Sequence, residues 1–298
     1  MNNYKYYTLK LENINSFESE DTFTCGQCFR WIKEDDSSYT GVIKNGVLNV
    51  NKKEKDIYIC GYLKDINNID EFRDLIYKYL DLNRDYEIIQ EVLSKDDEIM
   101  KIAIKSGKGI RILNQDSWEM LISYIISAAN NIPRITKIVE TLSKNYGEKI
   151  IIPNKILPNV KNREFYLFPN SNELSKVGIE DLRACNMGFR DKYVYNAVKL
   201  VNDKKVDLEE IKNLDYFSAK KELSKIQGVG SKIADCILLF SMEKHEAFPV
   251  DTWILKAMNE LYIDSKNVKK INLYAIEKFG ENAGIAQQYL FYHYRNKI

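Results

Sequence analysis

The stretch that decides the fold is Leu223-Ser224-Lys225-Ile226-Gln227-Gly228-Val229-Gly230-Ser231-Lys232-Ile233-Ala234-Asp235-Cys236-Ile237, in which two helical patterns meet at a Gly-Val-Gly turn. The two glycines allow the backbone to approach a partner closely. Ser231 is a good N-cap for the second helix, whose first backbone N–H groups and positive dipole end form a seat for phosphate. The pattern predicts a helix-hairpin-helix, although an ordinary corner between two helices also uses glycine.

Lys232 lies in the first turn of the second helix, where a cation is disfavoured beside the positive end of the helix dipole. This position favours the neutral amine, which is the nucleophile of Schiff-base chemistry. The alternative interpretation is a solvated surface lysine.

Nineteen positions later, the segment Phe248-Pro249-Val250-Asp251-Thr252-Trp253 places a carboxylate at the start of another helical pattern. The simplest role for Asp251 is a helix cap. A carboxylate held near an amine nucleophile also stabilises a cationic sugar transition state, as the paired carboxylates of glycoside hydrolases do. Lys232 and Asp251 together predict attack at an anomeric carbon.

Upstream, the first hundred residues contain short runs rich in aromatic and β-branched residues, which predict antiparallel strands. These runs are Cys28–Ile32, Tyr39–Ile43, Val47–Val50 and Asp56–Cys60. Asn45-Gly46 between two of them predicts a type I′ hairpin turn. A helix is predicted over Ile69–Leu80. The first part of the chain is therefore predicted to be an α+β domain, residues 1–112.

From about Ser117 the pattern changes to helical periodicity, with Trp118, Leu121, Ile122 and Ile125 on one face. The spacing repeats at Ile135, Ile138, Val139 and Leu142, and further helices are predicted over Lys192–Val201, Phe217–Ile226, Ser231–Met242, Thr252–Leu261, Ile271–Phe279 and Ile285–Tyr294. The second part, residues 113–298, is predicted to be an all-α domain of about seven helices.

Composition bounds the class of protein. The chain has 298 residues, 29% of them charged, and no apolar run approaches the roughly 18 residues of a membrane span. Met1–Phe17 lacks the pattern of a secretory signal, so we expect a cytoplasmic protein, nucleoid-associated if bacterial. Five cysteines, an odd number, indicate reduced thiols, and Cys25-x-x-Cys28 alone is a weak zinc signal.

The net charge of +1 hides an uneven distribution. Residues 1–110 carry 16 basic and 20 acidic side chains, whereas residues 111–298 carry 28 and 23. The positive excess of the second part makes it the better candidate for contact with phosphates.

Gly228-Val229-Gly230-Ser231-Lys232 followed by Pro249-Val250-Asp251 resembles the helix-hairpin-helix, Gly/Pro-rich, Asp (HhH-GPD) superfamily of DNA base-excision glycosylases. Further blocks resemble its 8-oxoguanine DNA glycosylase/AP lyase family: Gly26-Gln27-Cys28-Phe29-Arg30-Trp31, Asn130-Asn131-Ile132-Pro133-Arg134-Ile135-Thr136, Met187-Gly188-Phe189-Arg190 and Gly284-Ile285-Ala286-Gln287. The match runs in the family's order from about residue 20 to residue 295. It implies a TBP-like antiparallel sheet with helices, followed by a helical glycosylase domain.

For the chemistry, the resemblance implies that Lys232 attacks the sugar C1′ of a flipped nucleotide while Asp251 stabilises the cationic transition state. β-Elimination then nicks the strand. Gly26 would accept a hydrogen bond from the N7 hydrogen that 8-oxoguanine has and guanine lacks.

The resemblance also assigns the walls of the base pocket. Gln287 would read the Watson-Crick edge of the purine, Cys236 and Phe291 would sandwich its ring, and Pro249 would line the same pocket. The alternatives are a core aromatic for Phe291 and a buried structural thiol for Cys236.

On the opposite strand, Asn130, Asn131, Arg134, Phe189 and Arg190 match positions that surround the orphaned base. One departure concerns the first of the family's three asparagines, which is Ala129 here, so the resemblance leaves the opposite-base selectivity open.

Gly228, Gly230 and Trp253 match positions that contact the DNA backbone. Trp253 is the second departure, because it replaces the histidine of the eukaryotic enzymes. Backbone carbonyls of Ser224, Ile226 and Val229 match a site for a monovalent or calcium ion, while no catalytic metal or cofactor is expected, and the four-cysteine iron–sulfur loop of the endonuclease III branch is absent.

The expected partner is double-stranded DNA containing 8-oxoguanine, bound by a monomer. Two rival functions are a monofunctional alkylated-base glycosylase, which would lack a lysine at position 232, and a helix-hairpin-helix DNA-binding protein without catalysis. The combination of Lys232 and Asp251 argues against both.

Overall fold

The aromatic and β-branched runs near the N-terminus form a five-stranded antiparallel sheet in the computed structural model, which describes residues 3–296. The strands are β1 (Lys5–Leu11), β2 (Trp31–Lys33), β3 (Tyr39–Ile43), β4 (Gly46–Lys53), β5 (Asp56–Leu63), β6 (Lys149–Ile151) and β7 (Glu164–Tyr166). The sheet order is β1-β5-β4-β3-β2, while β6 and β7 pair separately. The sequence did not predict β1, because this strand is largely exposed and has no apolar run.

The predicted type I′ turn at Asn45-Gly46 is wrong. Ile43 pairs with Gly46, so Lys44 and Asn45 are the two loop residues, and neither has a positive φ. Gly46 instead begins β4 with φ 151°, and a Cβ there would lie 2.2 Å from the carbonyl oxygen of Tyr62. The glycine is needed for the close approach of β5 rather than for a turn.

Helices make up most of the remaining chain. They are α1 (Ser19–Thr24), α2 (Ile69–Tyr79), α3 (Tyr86–Ser94), α4 (Glu98–Ser106), α5 (Ser117–Ile126), α6 (Ile132–Tyr146), α7 (Ser171–Leu174), α8 (Ile179–Ala184), α9 (Asp191–Asn202), α10 (Leu208–Asn213), α11 (Tyr216–Leu223), α12 (Ser231–Ser241), α13 (Thr252–Leu261), α14 (Val268–Phe279) and α15 (Ala283–Asn296), with 3-10 turns at Gly188–Arg190 and Gly280–Asn282. Among these helices, none is long and apolar enough to cross a bilayer.

The prediction of an all-α second part with about seven helices needs two corrections. Between residue 113 and residue 296 the chain forms eleven helices, together with the β6–β7 pair. The helices missed are short ones such as α7 and α8, which have too few turns to show a periodic pattern. Ile150 and Phe165 of the small sheet are buried in an apolar cluster with Val42 and Val47.

Packing divides the chain into two compact units, and each is built from separate segments. Unit 1 comprises residues 1–15, 28–79 and 115–207, and unit 2 comprises residues 16–27, 80–114 and 208–298. This partition differs from the predicted division at residues 112 and 113, which followed the change in sequence pattern. Unit 1 contains the five-stranded sheet, and unit 2 contains the glycine hairpin.

Candidate active site

The hairpin between α11 and α12 has the geometry that its glycines predict. Gly228 has φ 91°, which a residue with a side chain rarely adopts. One detail of the prediction is wrong: Gly230 occupies the N-cap position and Ser231 is the first helical residue. Within residues 3–296 no side chain caps this helix end, and backbone N–H groups at such a helix start commonly bind phosphate oxygens.

Lys232 is half-buried in the first turn of α12, and its neighbour one turn later on that face is Cys236. Burial raises the pKa of the Cys236 thiol to about 11, against the opposing influence of the nearby Lys232 side chain, which hydrogen-bonds with it. The thiol therefore stays protonated at neutral pH. It can line a pocket without competing with the amine as a nucleophile.

Asp251 caps α13, as predicted: its Oδ1 accepts a hydrogen bond of 2.8 Å from the backbone N–H of Ile254. Burial raises the pKa of this carboxyl above its ordinary value, while the Ile254 N–H and the charge of Lys232 oppose the rise. The charge of Lys232 therefore acts on the Asp251 carboxyl, as expected if the two predicted catalytic residues share one site.

A buried polar network lies behind this pair, and the sequence analysis missed it. Asp235 accepts hydrogen bonds from Lys220 Nζ at 2.7 Å and from the Tyr216 hydroxyl at 2.8 Å. Burial raises the pKa of Asp235 to about 6, and Lys220 opposes that rise. Asn272 donates to the carbonyl of Phe248 at 2.9 Å and to Asp235 at 3.5 Å. The network joins α12 to the segment that ends at Asp251. The feature of the sequence that could have indicated it is the acidic Asp235 inside the apolar run of α12.

The predicted base-reading residue Gln287 lies on α15 and is buried, and its Oε1 has no hydrogen-bond partner within residues 3–296. Leaving a buried amide oxygen unpaired costs about 1–3 kcal/mol, which a ligand's N–H group would relieve. Phe291, one turn further along, is half-buried rather than a core residue, and the Arg295 guanidinium lies 5.3 Å from its ring centroid. Pro249 is buried.

α15 starts at a close contact with α12. A Cβ on Gly284 would lie 2.4 Å from Leu239 Cδ1 and 2.6 Å from the carbonyl oxygen of Ala247, so only glycine fits. The Gly284 N–H donates to the carbonyl of His245 at 2.7 Å. This contact fixes the start of α15, and Gln287 lies three residues later, one turn into the helix.

Gly26 has φ 91° in a short loop after α1. The fully buried Gln27 fixes this loop: its Nε2 donates to the Thr22 and Arg111 carbonyls, and its Oε1 accepts from the Leu113 N–H. From α15, Gln288 Nε2 donates to the Cys25 carbonyl at 2.9 Å. Neither glutamine was assigned a role from the sequence.

Trp253, the departure from the eukaryotic histidine, packs against Tyr294. The two rings meet edge-to-face with centroids 6.5 Å apart. An aromatic contact of this kind fixes the orientation of the indole at the start of α13.

The residues matched to the opposite base all lie in unit 1, at the start of α6 and at the 3-10 turn. Asn131 caps α6 by accepting from the Arg134 N–H at 3.0 Å. The Asn130 amide donates to the Ile126 carbonyl, and its Oδ1 accepts from the Asn131 N–H. Both asparagines therefore hold the turn in shape, while Arg134 is exposed.

Arg190 is buried, and its guanidinium donates to the carbonyls of Ala128, Ala129 and Met187. This arrangement supports the turn before α6 and uses three of the five N–H donors of the guanidinium. Phe189 is 55% exposed, and its ring lies 4.4 Å from the Arg190 guanidinium carbon. An exposed phenylalanine held over a fixed arginine is suited to stacking on a nucleobase.

The ion site predicted at the three hairpin carbonyls remains a prediction. The Ile226 carbonyl accepts from the Val229 N–H at 3.0 Å and keeps a second lone pair. Neutral carbonyls of this kind suit a weakly held monovalent ion. In residues 3–296, no group of three or more His, Cys, Asp or Glu side chains is arranged to hold a metal.

Comparisons with known proteins identify the family of the chain. The family model of the 8-oxoguanine DNA glycosylase N-terminal domain matches residues 9–121. The N-glycosylase/DNA lyase OGG1 of Arabidopsis thaliana is 30% identical over 301 residues, covering 96% of this chain and 80% of the relative. The N-glycosylase/DNA lyase of Saccharomyces cerevisiae is 30% identical over 333 residues, covering 97% and 86%.

A solved structure extends the comparison to the fold. The Clostridium acetobutylicum 8-oxoguanine glycosylase/lyase, in complex with double-stranded DNA containing cytosine opposite 8-oxoguanine, is 40% identical and superimposes with a TM-score of 0.90. The alignment covers 99% of this chain and 98% of that one. With this agreement in sequence and fold over nearly its whole length, the chain belongs to the 8-oxoguanine DNA glycosylase family of the HhH-GPD superfamily.

Proposed function

We propose that this protein is a bifunctional enzyme that excises 8-oxoguanine from double-stranded DNA and nicks the abasic site. The observation that carries the proposal is the arrangement at the start of α12, beside a glycine hairpin without a side-chain cap. There the Lys232 side chain hydrogen-bonds with the Cys236 thiol, and its charge acts on the Asp251 carboxyl. This combination supplies an amine nucleophile, a carboxylate and a seat for phosphate. The family relationship supplies the reaction class.

In the proposed chemistry, the damaged nucleotide is flipped out of the duplex so that its C1′ reaches Lys232. The bond between C1′ and the base N9 breaks with its electron pair going to the base, and Lys232 Nζ forms a bond to C1′. The Asp251 carboxylate stabilises the positive charge that develops on the sugar. Ring opening then gives an imine between Lys232 and the sugar.

Strand cleavage follows from the imine. Loss of a proton from C2′ and departure of the 3′ phosphate break the C3′–O bond by β-elimination. Water then hydrolyses the imine and releases Lys232 as the amine. The steps need no redox partner.

Base selection is proposed to lie on the loop at Gly26 and on α15. The Gly26 carbonyl would accept from the N7 hydrogen of 8-oxoguanine, and the unpaired Oε1 of Gln287 would accept from the N–H groups of the Watson-Crick edge. Cys236, Pro249 and Phe291 would enclose the ring. Because the proposed substrate is double-stranded DNA, we also propose a cytoplasmic location, nucleoid-associated if the source is bacterial.

Borohydride trapping on a duplex with one 8-oxoguanine opposite cytosine tests the proposal. We expect a covalent protein–DNA adduct with the unchanged protein and none with Lys232→Gln, which should still bind the duplex. A trapped adduct with Lys232→Gln would mean that another amine is the nucleophile. Base release without any adduct would favour a monofunctional glycosylase, and binding without base release would favour a non-catalytic DNA-binding protein.

A further inference from the structure

The loop that carries Gly26 is held from two sides by buried glutamines. On one side, Gln288 Nε2 of α15 donates to the carbonyl oxygen of Cys25 at 2.9 Å, and Gln288 is 2% exposed. This carbonyl belongs to the peptide group that joins Cys25 to Gly26. The hydrogen bond therefore acts on the plane of the peptide immediately before the Gly26 carbonyl.

On the other side, the Gln27 side chain makes four hydrogen bonds within the same unit, one of them from Nε2 to the Cys25 sulfur at 3.3 Å. Its Nε2 donates to the Thr22 carbonyl at 2.9 Å and to the Arg111 carbonyl at 2.7 Å, and its Oε1 accepts from the Leu113 N–H at 2.8 Å. The peptide group that contains the Gly26 carbonyl lies between these two anchors.

The direction of the Gly26 carbonyl depends on these anchors because glycine itself restrains the backbone weakly. Gly26 has φ 91° and belongs to neither a helix nor a strand, so no ladder of backbone hydrogen bonds fixes its peptide planes. Removing one anchor would let the carbonyl rotate. N7 carries a hydrogen in 8-oxoguanine and only a lone pair in guanine. A carbonyl that distinguishes the two bases by one hydrogen bond to N7 is sensitive to such a rotation.

We propose that Gln288 is a positioning residue for base selection: it aims the Gly26 carbonyl at the N7 hydrogen of 8-oxoguanine. The inference rests on the proposed function, in which Gly26 makes that contact. Gln287 and Gln288 are neighbours on α15 and divide two tasks, because the Gln287 oxygen is unpaired while the Gln288 amide binds the loop. Helix α15 thereby provides the Gln287 oxygen that reads the base and orients the Gly26 carbonyl that detects the damage.

Gln288→Met tests this inference, because methionine has nearly the same size and no hydrogen-bond donor. Gln90→Met is the matched control. Gln90 is also buried, and its Nε2 donates to the Lys108 carbonyl and to the Tyr289 hydroxyl of the same helix, both at 2.9 Å. Both variants lose a buried amide contact involving α15, but only the first loses the contact with the Gly26 loop.

The measurements are single-turnover excision of 8-oxoguanine and of guanine opposite cytosine, and strand cleavage at a preformed abasic site. In Gln288→Met we expect the ratio of 8-oxoguanine to guanine excision to fall roughly tenfold, the size of effect expected for one hydrogen bond. Cleavage at the abasic site should be unchanged, because no base is present to be recognised. Gln90→Met should keep the wild-type ratio.

A second variant, Gln288→Glu, keeps the test informative if Gln288→Met does not fold. Gln288→Glu keeps the shape of the side chain but donates to the Cys25 carbonyl only when its carboxyl is protonated. Its ratio should be low at alkaline pH and recover towards the wild-type ratio as the pH is lowered.

Three results would separate the possible failures. An unchanged ratio in both Gln288 variants overturns the inference and leaves the proposed function intact. An equal loss of base excision and abasic-site cleavage also overturns it, since that pattern marks a purely structural residue. A wild-type protein that does not prefer 8-oxoguanine over guanine overturns the proposed function itself.

Discussion

At the scale of single residues, Asp251 combines a structural and a proposed chemical task, and the pH profile separates them. Burial raises the pKa of its carboxyl, with the Ile254 N–H and Lys232 opposing. We therefore expect excision to slow as the pH falls through a value above the ordinary 3.8 of aspartate. A carboxyl whose pKa is higher in the folded state binds its proton more readily there, so at this group acidification favours folding. Protonation of Asp251 by itself would therefore slow excision without destabilising the fold.

Asp251→Asn should keep the helix cap and lower the excision rate by about 10²-fold or more, the scale of removing an electrostatic stabiliser of a transition state. The decrease of the excision rate at low pH should also disappear in this variant. The checks are single-turnover rates across pH and melting temperatures measured in parallel. Unchanged activity with an unchanged melting temperature would reduce Asp251 to a cap.

Ala129 is the second residue with a specific expectation. Its φ is 47°, a left-handed conformation that costs an alanine about 1–2 kcal/mol and that asparagine adopts more readily. Arg190 fixes this turn through the Ala128 and Ala129 carbonyls. Ala129→Asn should therefore raise the melting temperature slightly. If the amide reads the opposite base, it should also strengthen the preference for cytosine by about 1–3 kcal/mol.

Ala129→Gly is the matched control, because glycine relieves the backbone conformation without adding an amide. Excision opposite each of the four bases at one salt concentration is the measurement. If the asparagine and glycine variants show the same preference, the amide has no role in reading the opposite base.

At the scale of helices, the Asp235 network ties α11, α12 and α14 together beneath the site. Asp235→Asn would leave Lys220, whose side chain is 18% exposed, without its charge partner. Breaking a buried ion pair typically costs 3–5 kcal/mol. We expect unfolding by denaturant at a correspondingly lower concentration, together with slower adduct formation, because α12 carries Lys232 and Asn272 holds the Phe248 carbonyl before Asp251.

Glu222→Gln provides the comparison for that prediction. Glu222 pairs with Lys225 at 2.5 Å on the exposed face of the same hairpin region. Exposed pairs contribute about 0–1 kcal/mol, so this variant should unfold close to the wild type. Equal unfolding curves for the two variants would mean that the buried network contributes no more than a surface pair.

At the scale of the whole molecule, each compact unit is assembled from segments on both sides of residue 112. In unit 2, hydrogen bonds join the early segments to α15: Gln90 to Tyr289, Gln288 to the Cys25 carbonyl, Tyr292 to Asp21 and Arg295 to the Thr24 carbonyl. A fragment of residues 1–112 lacks α15 and also lacks residues 115–207 of unit 1.

We therefore expect the 1–112 fragment to lack a cooperative unfolding transition, although its boundary agrees with the change in sequence pattern. Thermal unfolding followed by circular dichroism, with the full chain as the control, tests this expectation. A fragment that unfolds cooperatively would establish the division at residues 112 and 113 as a true domain boundary.

The sequence by itself determined the family, the glycine hairpin and the capping role of Asp251, because these depend on local patterns. Helix periodicity, glycines at a turn and a capping aspartate can each be recognised from a few consecutive residues. For the same reason α13 was predicted with its observed bounds, Thr252–Leu261.

Only the tertiary structure decided which polar side chains are buried and what they bind. Gln27, Asp235, Asn272 and Gln288 make hydrogen bonds to groups that are distant in the sequence, and Arg190 donates to carbonyls about 60 residues away. No local spacing encodes such contacts, since a polar side chain finds its partner only when two segments pack together and exclude water. The interleaving of the two units has the same origin, because compactness is a property of contacts rather than of composition.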